Sequence, residues 1–340
     1  MDVRNALGGS HTAIPIKDKS GRSVLGVIVK LTFAVGPSGN AELIEEDAPP
    51  VDLADTYNGD EPAKSSIRRP SQVFDYKPGT DVLLLGHAHP PLRGRATCVD
   101  VSLRVGPIAK TVRAHGLRVW MQGALSRLSP GPAQPIREPV PLIYELAWGG
   151  MDMSDPMRPR GEERNYVGRG IAENPRSLVG QPAAQLEDPK DPIGGLGNDR
   201  PMSFGAIHRH WQPRAQYAGT YDQAWMDTRM PLLPEDFDPR FHITVPPDQW
   251  SETPLRGDEP FEIIGATPEG AWRFQLPRIV PAFMSVGTAG RVEHRTFLDT
   301  ILIDADAYRV ELTYRASVPI PKKLEMLDHV RIFEKELLEY

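Results

Sequence analysis

Hydrophobic and polar residues alternate with a period of two near both ends of the chain. Between Val99 and Val105, the apolar Val99, Val101, Leu103 and Val105 are separated by Asp100, Ser102 and Arg104. Between Tyr308 and Tyr314, the residues Tyr308, Val310, Leu312 and Tyr314 are separated by Arg309, Glu311 and Thr313. Successive side chains of an extended strand point to opposite faces, so each pattern predicts a strand with one buried face and one wet face. Val24 to Val35, Asp81 to Leu85, Leu117 to Met121, Phe261 to Gly265, Ala271 to Leu276 and Phe297 to Ile303 are further apolar or β-branched runs bounded by Gly and Pro, and they predict more strands. The pattern is that of a mainly β chain with antiparallel, sandwich-like sheets.

The periodicity stops in the middle. From Gly149 to about residue 250 the sequence is rich in Pro, Asp, Arg and Gly, which predicts loops and short helices. Thr220 followed by Gln223 matches a capping box, and Pro231 would stop the chain from continuing a helix, so a short helix is expected over about 221–229. The tail from Leu324 to Tyr340 fits a helix, while His329 to Phe333 within it equally fits a strand. Three parts follow: an N-terminal β-rich part over 1–148, a loop-rich central belt over 149–250 and a C-terminal β-rich part over 251–340. The two outer parts could form separate sheets around the belt.

Composition narrows the function classes. The 35 prolines among 340 residues are roughly twice ordinary usage and disfavour long helices. A formal net charge of -6 offers no general attraction to nucleic acid or anionic membranes, so neither is an expected partner. No apolar run approaches the roughly 20 residues that span a bilayer, and the first residues lack a basic segment followed by an apolar one. A cytoplasmic location is the expectation. Cys98 is the single cysteine, which excludes an intramolecular disulfide and a multi-cysteine zinc site.

Candidate chemistry is sparse. The sharpest enzymatic pattern is GHAH at 86–89, where His87 and His89 at the end of a strand would point to one side, as metal-dependent hydrolases require. His208 and His210, with Asp304 and Asp306, are the side chains that would complete such a site. A metal-hydrolase barrel also needs long helices between its strands, and this chain offers few. Ser65 and Ser66 lie outside any nucleophile elbow, and the glycines of PIGGLGNDR at 192–200 follow a proline where a dinucleotide site needs a strand. No catalytic residue and no cofactor is expected.

The belt is distinctive for its aromatic and guanidinium content. Trp, Tyr and Arg dominate protein-binding hot spots because they bury large areas and keep polar handles. Trp211, Arg214, Tyr221, Trp225 and Arg240 are therefore the candidate protein-binding residues.

Several long motifs resemble a bacterial family known as domain of unknown function 2169. They include VLGVIVKLTF at 24–33, PPVDLADTYNGDEPAKSSIRRPSQVFDYKPGTDVLLLGHAHPP at 49–91 and RVGPIAKTVRAHGLRVW at 104–120. PLIYELAWGG at 141–150, NYVGRG at 165–170, LEDP at 186–189 and HWQPRAQYAGTYDQAW at 210–225 continue the likeness. MPLLPEDFDPRF, PPDQ, LRGDEPFEIIGATPEG and LDTILIDADAYRVELTYRASVPI complete it between residues 230 and 320. One departure is Ile243, Thr244 and Val245, which precede PPDQ where family members often carry an Asn-Ala pair. The resemblance implies an adaptor of type VI secretion that binds an effector carrying a PAAR-like domain and helps load it onto the spike trimer. Two other readings remain at this point: a metal-dependent hydrolase on His87 and His89, and a structural component that stays with the spike.

Overall fold

The thirteen residues from Ser23 to Val35 form the longest strand, and it is buried almost throughout because its two faces meet different layers. Leu25, Val27, Val29, Leu31, Phe33 and Val35 face the main apolar core, whereas Lys30 and Thr32 on the other face are equally buried but polar. The computed structural model describes residues 2–91, 95–122, 128–194, 199–288 and 290–335.

This strand sits in a seven-stranded sheet. The order across it is Trp250–Ser251, Thr80–Leu85, Phe297–Asp304, Arg309–Pro319, Ser23–Val35 and Ser10–Lys17, with Ala41–Leu43 also paired to Ser23–Val35. All of its pairs are antiparallel except Thr80–Leu85 with Phe297–Asp304. A five-stranded sheet runs Leu186–Glu187, Ile108–His115, Cys98–Val105, Phe261–Ile264 and Ala271–Phe274. A four-stranded sheet joins Asp2–Asn5, Leu327–Glu334, Pro281–Gly287 and Gly290–His294. Their apolar rows share one core, in which Val101, Leu103, Phe261 and Trp272 join Phe283 and Ile332 and the inner face of the longest strand.

The mainly β architecture with several antiparallel sheets agrees with the alternation pattern. The two outer β-rich parts do not form separate sheets, however. Thr80–Leu85 and Ser23–Val35 flank Phe297–Asp304 and Arg309–Pro319, and Cys98–Val105 pairs with Phe261–Ile264. Strands far apart in sequence close both large sheets. Leu117 to Met121 contributes only its end, within the Trp120–Gln122 strand, and the described part of the tail forms a single 3-10 turn at Leu324–Met326 followed by the strand Leu327–Glu334. Residues 336–340 and 195–198, on which parts of the tail and glycine-loop expectations fall, lie outside the described residues.

The second face of the seven-stranded sheet is covered by loops of residues 49–78 and 203–251 through buried polar contacts. Lys30 pairs with Asp52 at 3.1 Å and Glu311 at 3.2 Å, and Arg69 reaches the same two carboxylates. Arg315 pairs with Asp299 at 2.6 Å, and Lys77 with Asp81 at 2.8 Å. Asp81 also accepts bonds from the Thr244 amide and hydroxyl, which fixes the belt to the sheet. At Gly79, with φ of +113°, a Cβ would stand 2.2 Å from the Ser251 carbonyl oxygen, so only glycine lets the belt's last strand approach here. Among the described residues no helix is long and apolar enough to cross a membrane.

Candidate functional site

The belt is folded against the sheet by its own aromatic and charged residues, and the five candidates divide into two groups. Trp211 is buried in the main core, with its ring edge-on to Tyr144 at 5.5 Å. Arg214 is also buried. Its Nε donates to the Phe241 carbonyl at 2.9 Å and its Nη1 to the Ile207 carbonyl at 2.8 Å, and its guanidinium lies 5.3 Å from the Phe241 ring centre. Burial lowers the Arg214 pKa to about 10.

The other three reach the surface. The helix Gln223–Thr228 carries Trp225, whose Nε1 donates to the Leu232 carbonyl at 2.8 Å while its ring meets Tyr221 edge-on at 4.7 Å. Tyr221 is 53% exposed, and Met226 and Met230 beside it are 54% and 62% exposed. Arg240 is exposed, pairs with Asp238 at 2.6 Å and lies over the Tyr217 ring at 4.3 Å.

The expected capping box does not form. Asp222 caps the helix by accepting the Trp225 amide at 2.9 Å, and Thr220 instead bonds to Asp236 through its amide and hydroxyl. A carboxylate two residues nearer the helix is a stronger acceptor for the first free amides than the hydroxyl of Thr220.

Between the 53–74 segment and the 208–244 segment lies a cleft of about 660 Å³. Asp55 fastens its two walls by accepting the Ser71 amide at 2.7 Å and Arg209 Nη2 at 2.6 Å. His208 and His210 stand with ring centres 5.2 Å apart, and burial lowers the His208 pKa. His242 is stacked on Phe74 at 4.9 Å. Burial, and then the charges of Arg214, Lys77, Arg315 and Arg209, lower its pKa to about 3, which keeps it neutral.

The histidines proposed for a metal do not converge on a ligand set. His87 Nδ1 lies 2.8 Å from Asp306, His89 is tied through its backbone amide to the Gly265 carbonyl, and Asp304 accepts the Ala307 amide. Among the described residues no three His, Cys, Asp or Glu side chains are grouped to hold a metal ion. Ser65 and Ser66 both donate to Glu145, at 3.2 and 2.7 Å. Cys98 is exposed at a strand end.

Sequence reasoning missed what the most specific motifs do. Gln249 of PPDQ donates to the Val82 and Phe204 carbonyls, and with Asp248 it receives Lys110, whose pKa burial lowers to about 8. Glu187 of LEDP accepts from His115 and Arg118. Asn165 of NYVGRG donates to the Tyr144 and Trp148 carbonyls. These residues clamp loops to sheets. The available signal was pairing between motifs, since the segment 104–120 supplies the cations and the later motifs supply the carboxylates.

No curated protein and no solved structure matches the chain. The family described as "Uncharacterized protein conserved in bacteria (DUF2169)" matches residues 20–315, most of the chain, and the protein belongs to that family.

Proposed function

We propose that this protein is a non-enzymatic adaptor of type VI secretion. It binds an effector with a PAAR-like domain in the cytoplasm and helps to load it onto the spike. The observation that supports this reading best is the group of exposed Tyr221, Met226 and Met230 around the half-buried Trp225, large apolar side chains on a short helix and the turns before and after it. Large exposed apolar groups rimmed by charge mark interaction surfaces, and methionine adapts to varied partner shapes. The bonds from Trp225 to the Leu232 carbonyl and from Arg229 to the Leu233 and Lys19 carbonyls hold that surface in place, so a partner meets a preformed patch and binding costs less ordering entropy. The buried polar groups named above serve packing, which fits binding without turnover.

Alanine variants test the reading. Tyr221→Ala with Met226→Ala, both at exposed positions, are expected to melt like the parent protein and to lose co-purification of a co-expressed PAAR-like effector. Undiminished co-purification by that double variant would show that the patch is not the binding surface.

A further inference from the structure

Among the described residues, Arg214 is a buried cation without a bonded carboxylate. The other buried cations on this side of the sheet are all answered at close range: Lys30 by Asp52 and Glu311, Lys77 by Asp81, and Arg315 by Asp299, each within 3.2 Å. Arg214 is 8% exposed and is bonded only to two backbone carbonyls, through Nε and Nη1. The two acids that act on it through space are committed elsewhere, Asp55 to Arg209 and Ser71, and Asp81 to Lys77 and Thr244. Its Nη2 has no partner among the described residues. An unpaired buried charge is costly, and a carboxylate that reaches it recovers much of that cost.

Arg214 lines the cleft described above, and so do Arg209, His208, His210 and His242, while Asp55 is the one acid of the lining. The mouth carries Leu53 and Val73, which are 59% and 38% exposed. A volume of about 660 Å³ falls in the range, roughly 300–1,000 Å³, that holds ligand-sized groups and is large for a single inorganic anion. The geometry points to this cleft as the docking site for an acidic, extended segment of a protein partner. An Asp or Glu carboxylate of that segment sits on Arg214 Nη2, and an apolar neighbour packs on Leu53 and Val73. Taken with the adaptor reading, on which the choice of partner rests, the segment belongs to the PAAR-like effector. The outward patch on the helix then supplies a second area of contact.

The full chain can be tested with two fluorescein-labelled peptides, one of alternating glutamate and leucine and its glutamine-leucine twin. The variants are Arg214→Gln, which removes the charge, and His210→Glu, which sets an acid at an exposed position of the cleft without touching the buried bonds. The glutamate peptide is expected to bind the parent about tenfold or more tighter than its twin, and to lose about tenfold or more in each variant. His210→Glu is expected to melt like the parent, which separates this loss from misfolding. Failure of the glutamate peptide to bind, equal binding of the two peptides, or binding that neither variant weakens would overturn the cleft assignment.

A co-purification arm with a PAAR-like effector separates this inference from the function it rests on. Capture by the parent and loss in His210→Glu support both. Equal capture by the parent and both variants keeps the adaptor and overturns the cleft as its docking site. A glutamate peptide that binds as expected, with no capture of the effector by the parent, supports the acidic-segment site and removes the effector as its partner.

Discussion

Replacing Glu311 with alanine removes one of two carboxylates that hold the loop of residues 49–78 on the polar face of the seven-stranded sheet. Glu311 is 3% exposed and faces Lys30, which is fully buried, and Arg69. Without it the two cations share Asp52 alone. Breaking a buried ion pair by deleting one partner typically costs about 3–5 kcal/mol, because the remaining charge stays desolvated. At about 2.1 cal/mol/K per residue, the unfolding entropy of 340 residues is about 0.7 kcal/mol/K, so the loss corresponds to a melting temperature lower by about 4–7 °C. Differential scanning calorimetry of the Glu311→Ala variant measures it. The companion variant Lys30→Met with Glu311→Leu removes one cation and one anion together and leaves Arg69 paired with Asp52. It is expected to melt closer to the parent than either single substitution does. A Glu311→Ala protein that melts like the parent, or a double variant as unstable as the two single losses added together, would refute the idea that this network acts as a charge-balanced unit.

Stability at mildly acidic pH should depend on His242. Its folded-state pKa of about 3 lies below the ordinary value of 6.5, so the unfolded chain takes up a proton first as pH falls below 6.5. Each pH unit below 6.5 costs about 1.4 kcal/mol until the folded-state pKa is reached. Replacement by phenylalanine, which keeps the stack on Phe74, should flatten the melting-temperature profile between about pH 6.5 and 5. Glu187 acts in the same direction in stronger acid. Burial raises its pKa, but bonds from His115 and Arg118 outweigh this and hold it at about 2 against 4.5, so its contribution is present above pH 4.5 and fades as pH falls toward 2. The melting gap between the parent and Glu187→Gln should therefore narrow in acid. Trp211→Ala, which empties a core position, should cost about 3–5 kcal/mol, whereas Arg240→Ala at an exposed pair should leave the melting temperature unchanged.

The strands most legible in the sequence are those with one wet face. Cys98–Val105 shows its alternation plainly, because Asp100, Ser102 and Arg104 are not fully buried. The neighbouring Ile108–His115 strand is obscured because Lys110, which should mark a wet face, points into the core row beside Ile108, Val112 and Ala114 and is satisfied by Asp248 and Gln249 from far along the chain. In the same way, Lys30, Glu311, Thr313 and Arg315 read as surface residues although the loop of residues 49–78 covers them. The belt's aromatic content correctly marks residues that matter to its structure. Composition alone cannot say which of them turn inward, and Trp211 and Arg214 do so while Tyr221 and Arg240 do not. Deciding that takes the long-range contacts with Tyr144 and Phe241 that only the fold supplies.

Whether this protein binds and loads a PAAR-like effector, as proposed, is decided by expressing such an effector with and without it. Size-exclusion chromatography of the purified material then shows whether the two chains migrate together. A stable complex, greater yield of soluble effector in the presence of this protein, and loss of effector delivery when it is deleted are the expected results. An effector that is equally soluble and equally delivered without it, and that elutes separately when both are present, would contradict the adaptor role.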